Sequence, residues 1–271
     1  MLMGNFLKNR KSVRDFKKKK MDDRTKTEVL EIFKDLEMEV DNKYFNFILF
    51  EEGEKIYNVL NGLAGYSGVM IESPCYIGVR LKEVNDKSII TASYYTEKLM
   101  TLLTHRNLGT CWVNIKDVDR GVKVKVLGEE NKNIGYLVAL GYPKAKNPFV
   151  QEPTSSRYGV SDIVFKDKIG NSINAGELEK RGLEDLFYYI RFAPSNYNLQ
   201  PWRFIIKDDK ILLLLKYSEE GKTDLMDAGI IMYYFKELGK VIGIKSEWQL
   251  LEKEDIECGD SRYRVIAEIK L

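Results

Sequence analysis

The chain has 271 residues with 43 basic and 41 acidic groups and a formal net charge of +2, so it carries no field that would draw it onto nucleic acid or an anionic membrane. Apolar residues make up 44% and charged residues 31%, which excludes a disordered chain and suffices for one large domain or two modest ones. Cys75, Cys111 and Cys258 lie far apart without CxxC spacing, which argues against a disulfide framework or a zinc site and fits a reducing compartment. The opening MLMGNFLKNR is too short and too quickly charged for a secretory signal, and no apolar run approaches the ~18 residues of a membrane span. A cytoplasmic protein is expected.

In chain order, the first marked stretch is NRKSVRDF. Arg10 and Arg14 stand four residues apart, which in a helical turn brings both guanidiniums to one side, with Lys11 and Ser12 beside them. Such a set can grip a phosphate, because the planar fork of arginine matches phosphate oxygens. A solvated basic helix start is the other reading. Lys17 to Lys20 read as a solvated turn before acidic Asp22 and Asp23. TKTEVLEIFKDLEM then has the apolar spacing of a helix, and YFNFILF the length of a strand. GLAGYSG, residues 62–68, lacks the lysine-serine pair of a phosphate loop and reads as a flexible connection. SYYTEKLMTLLTHRNLGTCW predicts a long helix that stops at a glycine and leads into a strand carrying Trp112. His105 at its end reads as a cap, and Cys111 as a small core residue. IGYLVALGYP is a strand rich in β-branched residues.

A polar, glycine-containing linker is expected near KDKIGNSINAGELEKR, residues 166–181. GLEDLFYYIRFA places Leu183, Leu186, Phe187 and Ile190 at the spacing of a buried helical face, and WRFIIKD follows as a strand. DAGIIMYYFKELGKVIGIKSEW and RYRVIAEIKL repeat the earlier logic of helix, glycine and strand. Without a gap, Glu28 to Glu51 superimposes on Asp185 to Asp208, with Phe47 and Ile48 falling on Phe204 and Ile205. Such a repeat implies two copies of one fold packed about a pseudo-two-fold axis. The expected class is α+β, two related α/β halves in one chain, residues 1–165 and a shorter 166–271.

Between the repeated helix and strand of the second half stands FAPSNYNLQPWRF. Pro194 ends the helix and Pro201 stiffens the entry to the strand, so the backbone between them is expected to stay open. Ser195, Asn196, Asn198 and Gln200 offer donors and acceptors that complement a planar heterocycle with N–H and C=O edges, although the same residues also build ordinary turns.

RKSVRDF and APSNYNLQPWRF together closely resemble the nitroreductase superfamily of FMN enzymes, whose members open with R-[RK]-S-x-R-x-[FY] and carry A-P-S-x-x-N-x-Q-P-W-x-F after the first long helix. NLGTCW and ALGYP look like later strand markers of that family. The fused architecture resembles its branch of TM nitroreductases, in which one chain imitates the usual dimer. The resemblance implies a nitroreductase-like fold with FMN in a composite pocket. Arg10, Lys11, Ser12 and Arg14 of the first half would hold the phosphate, and Pro194, Ser195, Asn196, Asn198 and Gln200 of the second would meet the ring. It also implies that Val113, Asn114 and Ile115 face the N5 side, although VNIKDVD lacks the small or acidic residues frequent in that loop. A basic residue after the GYP strand would meet the phosphate: Arg157, with Lys144 and Lys146 as rivals. Arg203 could add a cation at the N1–O2 edge.

The first-half counterparts of Pro194, Ser195, Asn196 and Asn198 are Glu37, Met38, Glu39 and Asp41, whose carboxylates would repel a reduced, anionic flavin. NSINAGELEKRG supplies no second R-x-S-x-R, so one FMN per chain is expected. The activity implied by the resemblance is a ping-pong cycle in which NADH or NADPH supplies two electrons to a small-molecule acceptor, nitroaromatic or quinone-like. The chemistry would lie on FMN, with no catalytic side chain and no metal, in a monomer acting as a pseudo-dimer without nucleic-acid or membrane partners. A flavin-binding protein that stores or senses FMN without turnover is the alternative.

Overall fold

The first helix, α1 (Asp23–Met38), begins where the Asp22 carboxylate accepts a hydrogen bond from the Thr25 amide at 2.9 Å, satisfying one of the orphan donors of the opening turn. It buries Val29, Ile32, Phe33 and Leu36, the stripe that its apolar spacing predicts, each contributing about 1.5–3 kcal/mol once out of water. In the computed structural model, which describes residues 4, 6–7, 10–66, 68–145 and 155–271, the chain divides into two units. The first holds Asn9–Ser88 and Tyr95–Glu152; the second holds Met1–Lys8, Ile89–Tyr94 and Pro153–Leu271. Lys146 lies outside the described residues.

In the first unit α1 is followed by β1 (Phe45–Phe50), α2 (Gly53–Leu60), β2 (Cys75–Leu81), α3 (Asp86–Thr104), β3 (Gly109–Asn114), α4 (Arg120–Leu127) and β4 (Tyr136–Gly141). Residues 89–94 of α3 group with the second unit. The sheet runs β1-β2-β4-β3 with every neighbouring pair antiparallel. Its core includes Phe16, Ile56, Leu60, Tyr76, Val113 and Leu137. The expected glycine stop of α3 is instead Asn107, left-handed at φ 59°, with the Leu108 amide returning to the Leu103 carbonyl at 3.1 Å; Gly109 already opens β3. His105 is the exposed C-cap residue of that helix.

In the second unit follow α5 (Val160–Ile163), β5 (Val164–Lys166), α6 (Ala175–Lys180), α7 (Glu184–Ile190), β6 (Trp202–Ile206), β7 (Lys210–Lys216), α8 (Leu225–Gly239), β8 (Gln249–Cys258) and β9 (Ser261–Lys270). The sheet order is β5-β6-β7-β9-β8, with β5 parallel to β6 and all other pairs antiparallel. The polar stretch 166–181 is folded: Asn174 caps α6 by accepting from the Glu177 amide at 2.8 Å, and Ile169, Ile173 and Leu178 are buried. Helix α8 is apolar around most of its circumference and buried along almost its whole length, as that composition requires. Gly229 makes one close approach: a Cβ there would lie 2.0 Å from Ser93 Oγ and 2.2 Å from the Ile90 carbonyl oxygen, so only glycine fits.

Candidate functional site

The segment carrying Arg10, Lys11, Ser12 and Arg14 is extended rather than helical. Ser12 bridges to Thr110 of β3, the Val13 amide donates to the Thr110 carbonyl at 2.9 Å, Phe16 bridges to Pro143, and the Lys17 amide donates to the Tyr142 carbonyl at 2.8 Å. These backbone partners lie about a hundred residues along the chain, which is why local spacing suggested a helical turn. Phe16 is buried in the core, while Lys11 and Arg14 are exposed.

Arg10 points the other way. Its Nε donates to Glu97 Oε2 at 2.7 Å and its Nη2 to Glu97 Oε1 at 2.9 Å, with side-chain exposures of 1% and 0%. Trp112 Nε1 donates to the same Oε1 at 2.7 Å. Thus Glu97, from the middle of α3, ties the start of the extended segment to the following strand.

Arg14 and Lys144 line one cleft of about 660 Å³ within the first unit, which also presents Lys18, Glu54 and Glu72. Lys18 pairs with Glu72 at 3.1 Å, and the Lys144 amide donates to the Asp15 carbonyl at 3.0 Å. Val113 and Asn114 end β3, paired with Leu137 and Tyr136. Val113 and Ile115 are buried, and the Ile115 amide donates to the Gly135 carbonyl at 2.9 Å. Cys111, buried in the same strand, has its thiol pushed upward in pKa by desolvation, as a core residue should.

In the second unit, α7 stops at Ile190 and the chain passes through Ala193, Pro194 and Ser195 into a tight turn in which Tyr197, Asn198 and Gln200 are left-handed, at φ 50°, 58° and 47°. Asparagine tolerates that region; tyrosine and glutamine rarely adopt it, so the turn is strained and must be held. Within the turn, the Gln200 amide donates to Ser195 Oγ at 2.9 Å and the Asn198 amide to the Ser195 carbonyl at 3.1 Å. From α8, Asp227 Oδ1 accepts the Asn196 amide at 3.0 Å, and the capping residue Asp224 accepts Asn196 Nδ2 at 3.2 Å. Much of the backbone expected to stay open for a ligand is therefore bonded within the protein.

The segment 156–158 also bonds to this turn. Arg157 Nη1 donates to Asn198 Oδ1, Asn198 Nδ2 donates to the Ser156 carbonyl at 3.1 Å, and the Tyr158 amide donates to Gln200 Oε1 at 3.1 Å. Gln200 is buried, and Arg157 is half-buried, which lowers its pKa by desolvation without removing its charge. Arg203 is buried too: its Nη1 donates to the Gln200 carbonyl at 3.0 Å and the Trp202 carbonyl at 2.7 Å, and its guanidinium lies 5.1 Å from the Tyr158 ring centroid.

The structure thus brings Arg157 together with Asn198 and Gln200, and Arg14 together with Lys144. Glu97, Asp224, Asp227 and Tyr158 were not singled out by sequence. A charged residue inside an apolar helical stripe was the available signal for Glu97 and Asp227; for Tyr158, whose backbone amide is the donor, none existed. Among the described residues Thr110 Oγ1 and Trp202 Nε1 are buried without a hydrogen-bond partner. Each adjoins a marked segment: Thr110 is the bridge partner of Ser12, and Trp202 belongs to the turn motif. No group of His, Cys, Asp or Glu among the described residues could hold a metal ion, and no helix among them is long and apolar enough to cross a membrane.

Mixed helices with two largely antiparallel sheets, and the marked segments placed at the approaches to β3 and β6, define an α+β nitroreductase-like fold. The chain belongs to the family described as "Putative TM nitroreductase", whose model matches residues 4–238. It is similar in fold to a crystal structure described as a "putative nitroreductase" from Thermotoga maritima MSB8, with 20% identity and a TM-score of 0.55, covering 98% of this chain and 94% of that one. A nitroreductase family protein from Clostridium novyi NT matches at 20% identity and TM-score 0.43, over 64% of this chain and 98% of its own. A nitroreductase with bound FMN from Bacteroides fragilis NCTC 9343 matches at 18% identity and TM-score 0.45, over 57% and 94%. No curated protein matches the chain.

Proposed function

We propose that the protein is a flavin oxidoreductase that binds FMN and moves two electrons from NADH or NADPH to a small acceptor such as a nitroaromatic or a quinone. The observation that carries this reading is the turn from Ser195 to Gln200, in which three non-glycine residues are left-handed and held by polar groups from two other segments. Conformations of that kind cost about 1–3 kcal/mol each and persist where the surrounding structure over-determines them, commonly at ligand clamps. Family membership over residues 4–238 supports the same reading.

When bound, FMN supplies the redox chemistry, and the protein supplies binding, orientation and electrostatics. The residues present fit such a group. Lys11 and Arg14 are exposed cationic donors flanking the Ser12 hydroxyl, suited to a phosphate dianion, and Lys144 shares a cleft with Arg14. Arg157, expected from the resemblance at the phosphate, is bonded to Asn198, and we reassign it to the ring side, where its positive charge would stabilise the negative charge arriving with the electrons. Pro194, Ser195, Asn196 and Gln200 shape the turn; Val113, Asn114 and Ile115 are assigned to the N5 side. Two unpartnered buried donors, Thr110 Oγ1 and Trp202 Nε1, adjoin these sets.

One FMN per chain is part of the proposal. The first-unit counterparts of the turn are committed elsewhere: Glu37 accepts from the Phe47 amide at 2.7 Å and from Asn46 Nδ2 at 2.7 Å, Glu39 pairs with Lys98 at 2.6 Å, and Asp41 with Lys43 at 2.8 Å. Freshly purified protein is expected to show flavin absorbance at a flavin-to-protein ratio near one, and to oxidise NADH or NADPH when menadione or nitrofurazone is added. A ratio near two removes the single-site claim. Bound flavin that neither nicotinamide bleaches under anaerobic conditions reduces the reading to flavin binding, and protein that takes up no FMN ends it.

A further inference from the structure

Of the four candidate phosphate ligands in the opening motif, Arg10, Lys11, Ser12 and Arg14, Arg10 is set apart by its environment. Two of the three nitrogens of its guanidinium face one carboxylate, that of Glu97, in a bidentate pair that is almost fully buried. The carboxylate also accepts from a third donor, Trp112 Nε1, and Arg10 Nη2 approaches Met100 Sδ at 3.6 Å. A phosphate dianion gripped by this fork would have to displace Glu97 from the same edge and then lie against a buried negative charge, which repulsion in a low-dielectric interior forbids.

We propose that Glu97 is a positioning residue for the phosphate-binding segment and that Arg10 is its strut rather than a phosphate ligand. The inference rests on the FMN reading given above. Arg10 enters the interior at the head of the segment, and the bridges of Ser12 to Thr110 and of Phe16 to Pro143 fix its tail, so the intervening chain is clamped at both ends. Clamped in this way, the segment leaves Lys11 and Arg14 on its exposed side. Glu97 also bonds the indole of Trp112 on β3, so one carboxylate sets the spacing between α3, β3 and the segment. A buried pair of this kind adds little net stability but is costly to break from one side, which suits it to holding a register.

The two roles predict opposite signs. Glu97→Gln keeps shape and removes charge. If Arg10 gripped phosphate, that change would free the fork and lower repulsion, so FMN would bind as tightly or more tightly. If Glu97 positions the segment, FMN binding weakens by about tenfold or more, while riboflavin, which lacks the phosphate, binds within about twofold of wild type. Dissociation constants are read by flavin fluorescence quenching on apoprotein reloaded with each flavin, with circular dichroism to confirm folding. Glu97→Asp provides a second variant should Glu97→Gln fail to fold. It keeps the charge but draws the carboxylate back by one methylene from both Arg10 and Trp112, so the strut role predicts a loss of about tenfold, whereas under the ligand role the fork is freed and FMN binds at least as tightly as in wild type. Wild type that binds FMN, with either variant binding it as well or better, overturns the inference and leaves the flavin reading intact. Wild type that binds neither flavin overturns both.

Discussion

Strands β1, β2, β4 and β3 of the first unit are ordered as β6, β7, β9 and β8 are in the second, with the same antiparallel pairing throughout. What differs is the passage from the preceding helix into the first of those strands. In the gapless register Phe45 falls on Trp202, so β1 and β6 begin together, but Ile190, the last residue of α7, falls on Phe33. Helix α1 therefore runs on through positions that in the second unit are irregular chain leading to Pro194. The first unit closes its junction with a carboxylate, Glu37, bonded to the incoming strand. The second, whose helix cannot continue through a proline, holds a strained turn from outside with Asp227, Asp224 and Arg157. One sheet plan thus carries either a plain junction or a polar clamp, and the choice turns on a few residues at one connection.

That contrast can be broken at several points. The largest effect is expected at Gly229, where alanine would force its methyl against the Ile90 carbonyl and Ser93 Oγ; a loss of about 3 kcal/mol should appear as a lower urea midpoint. Asp227→Ala removes the buried acceptor of the Asn196 amide and should cost about 2 kcal/mol, with weaker FMN binding in equilibrium titration. The matching change in the first unit, Glu37→Ala, should cost about 1–2 kcal/mol, because half-buried Asn46 regains water while the amide of buried Phe47 loses its acceptor, and should leave FMN affinity unaltered. If Glu37→Ala proved as damaging to flavin binding as Asp227→Ala, the assignment of the two junctions to different tasks would fall.

Tyr197→Gly relieves a left-handed side chain, a gain of about 1–2 kcal/mol, against a glycine entropy cost of about 0.5–1 kcal/mol. A net stabilisation of roughly 0.5 kcal/mol, accompanied by slower or weaker flavin uptake, would show that strain in this turn serves binding. The smallest effect concerns α1. The Thr25 amide, bonding to Asp22, holds that carboxyl below its ordinary pKa. Because the folded-state value is the depressed one, the cap's contribution is present above the ordinary aspartate range and fades as pH falls through the lowered value. Asp22→Asn should abolish this acid-side dependence, read by following the helix signal against pH, while changing neutral-pH stability little.

Much of the fold was legible because its signals are local. The faces of α1 and α7 follow from Val29, Ile32, Phe33 and Leu36, and from Leu186, Phe187 and Ile190, all at helical spacing and all buried. The β1 and β6 runs follow from apolar stretches of strand length. Short α2 and α4, and the pairing of β5, carried weaker signals: eight-residue helices are held by tertiary packing rather than propensity, and three strand residues say nothing of their neighbour.

The sequence by itself determined the main helix-strand alternation, the apolar faces of α1 and α7 and the two motif-bearing segments, because periodicity, prolines and capping residues act within a few residues of where they stand. Tertiary structure alone decided that the opening motif is extended, that Arg10 turns inward to Glu97, and that Arg157 and Asp227 hold the turn around Asn198. Those pairs span 31 to 87 residues, and such distances are closed only by packing. A charged side chain chosen as a partner across them leaves no periodic trace in the chain that carries it.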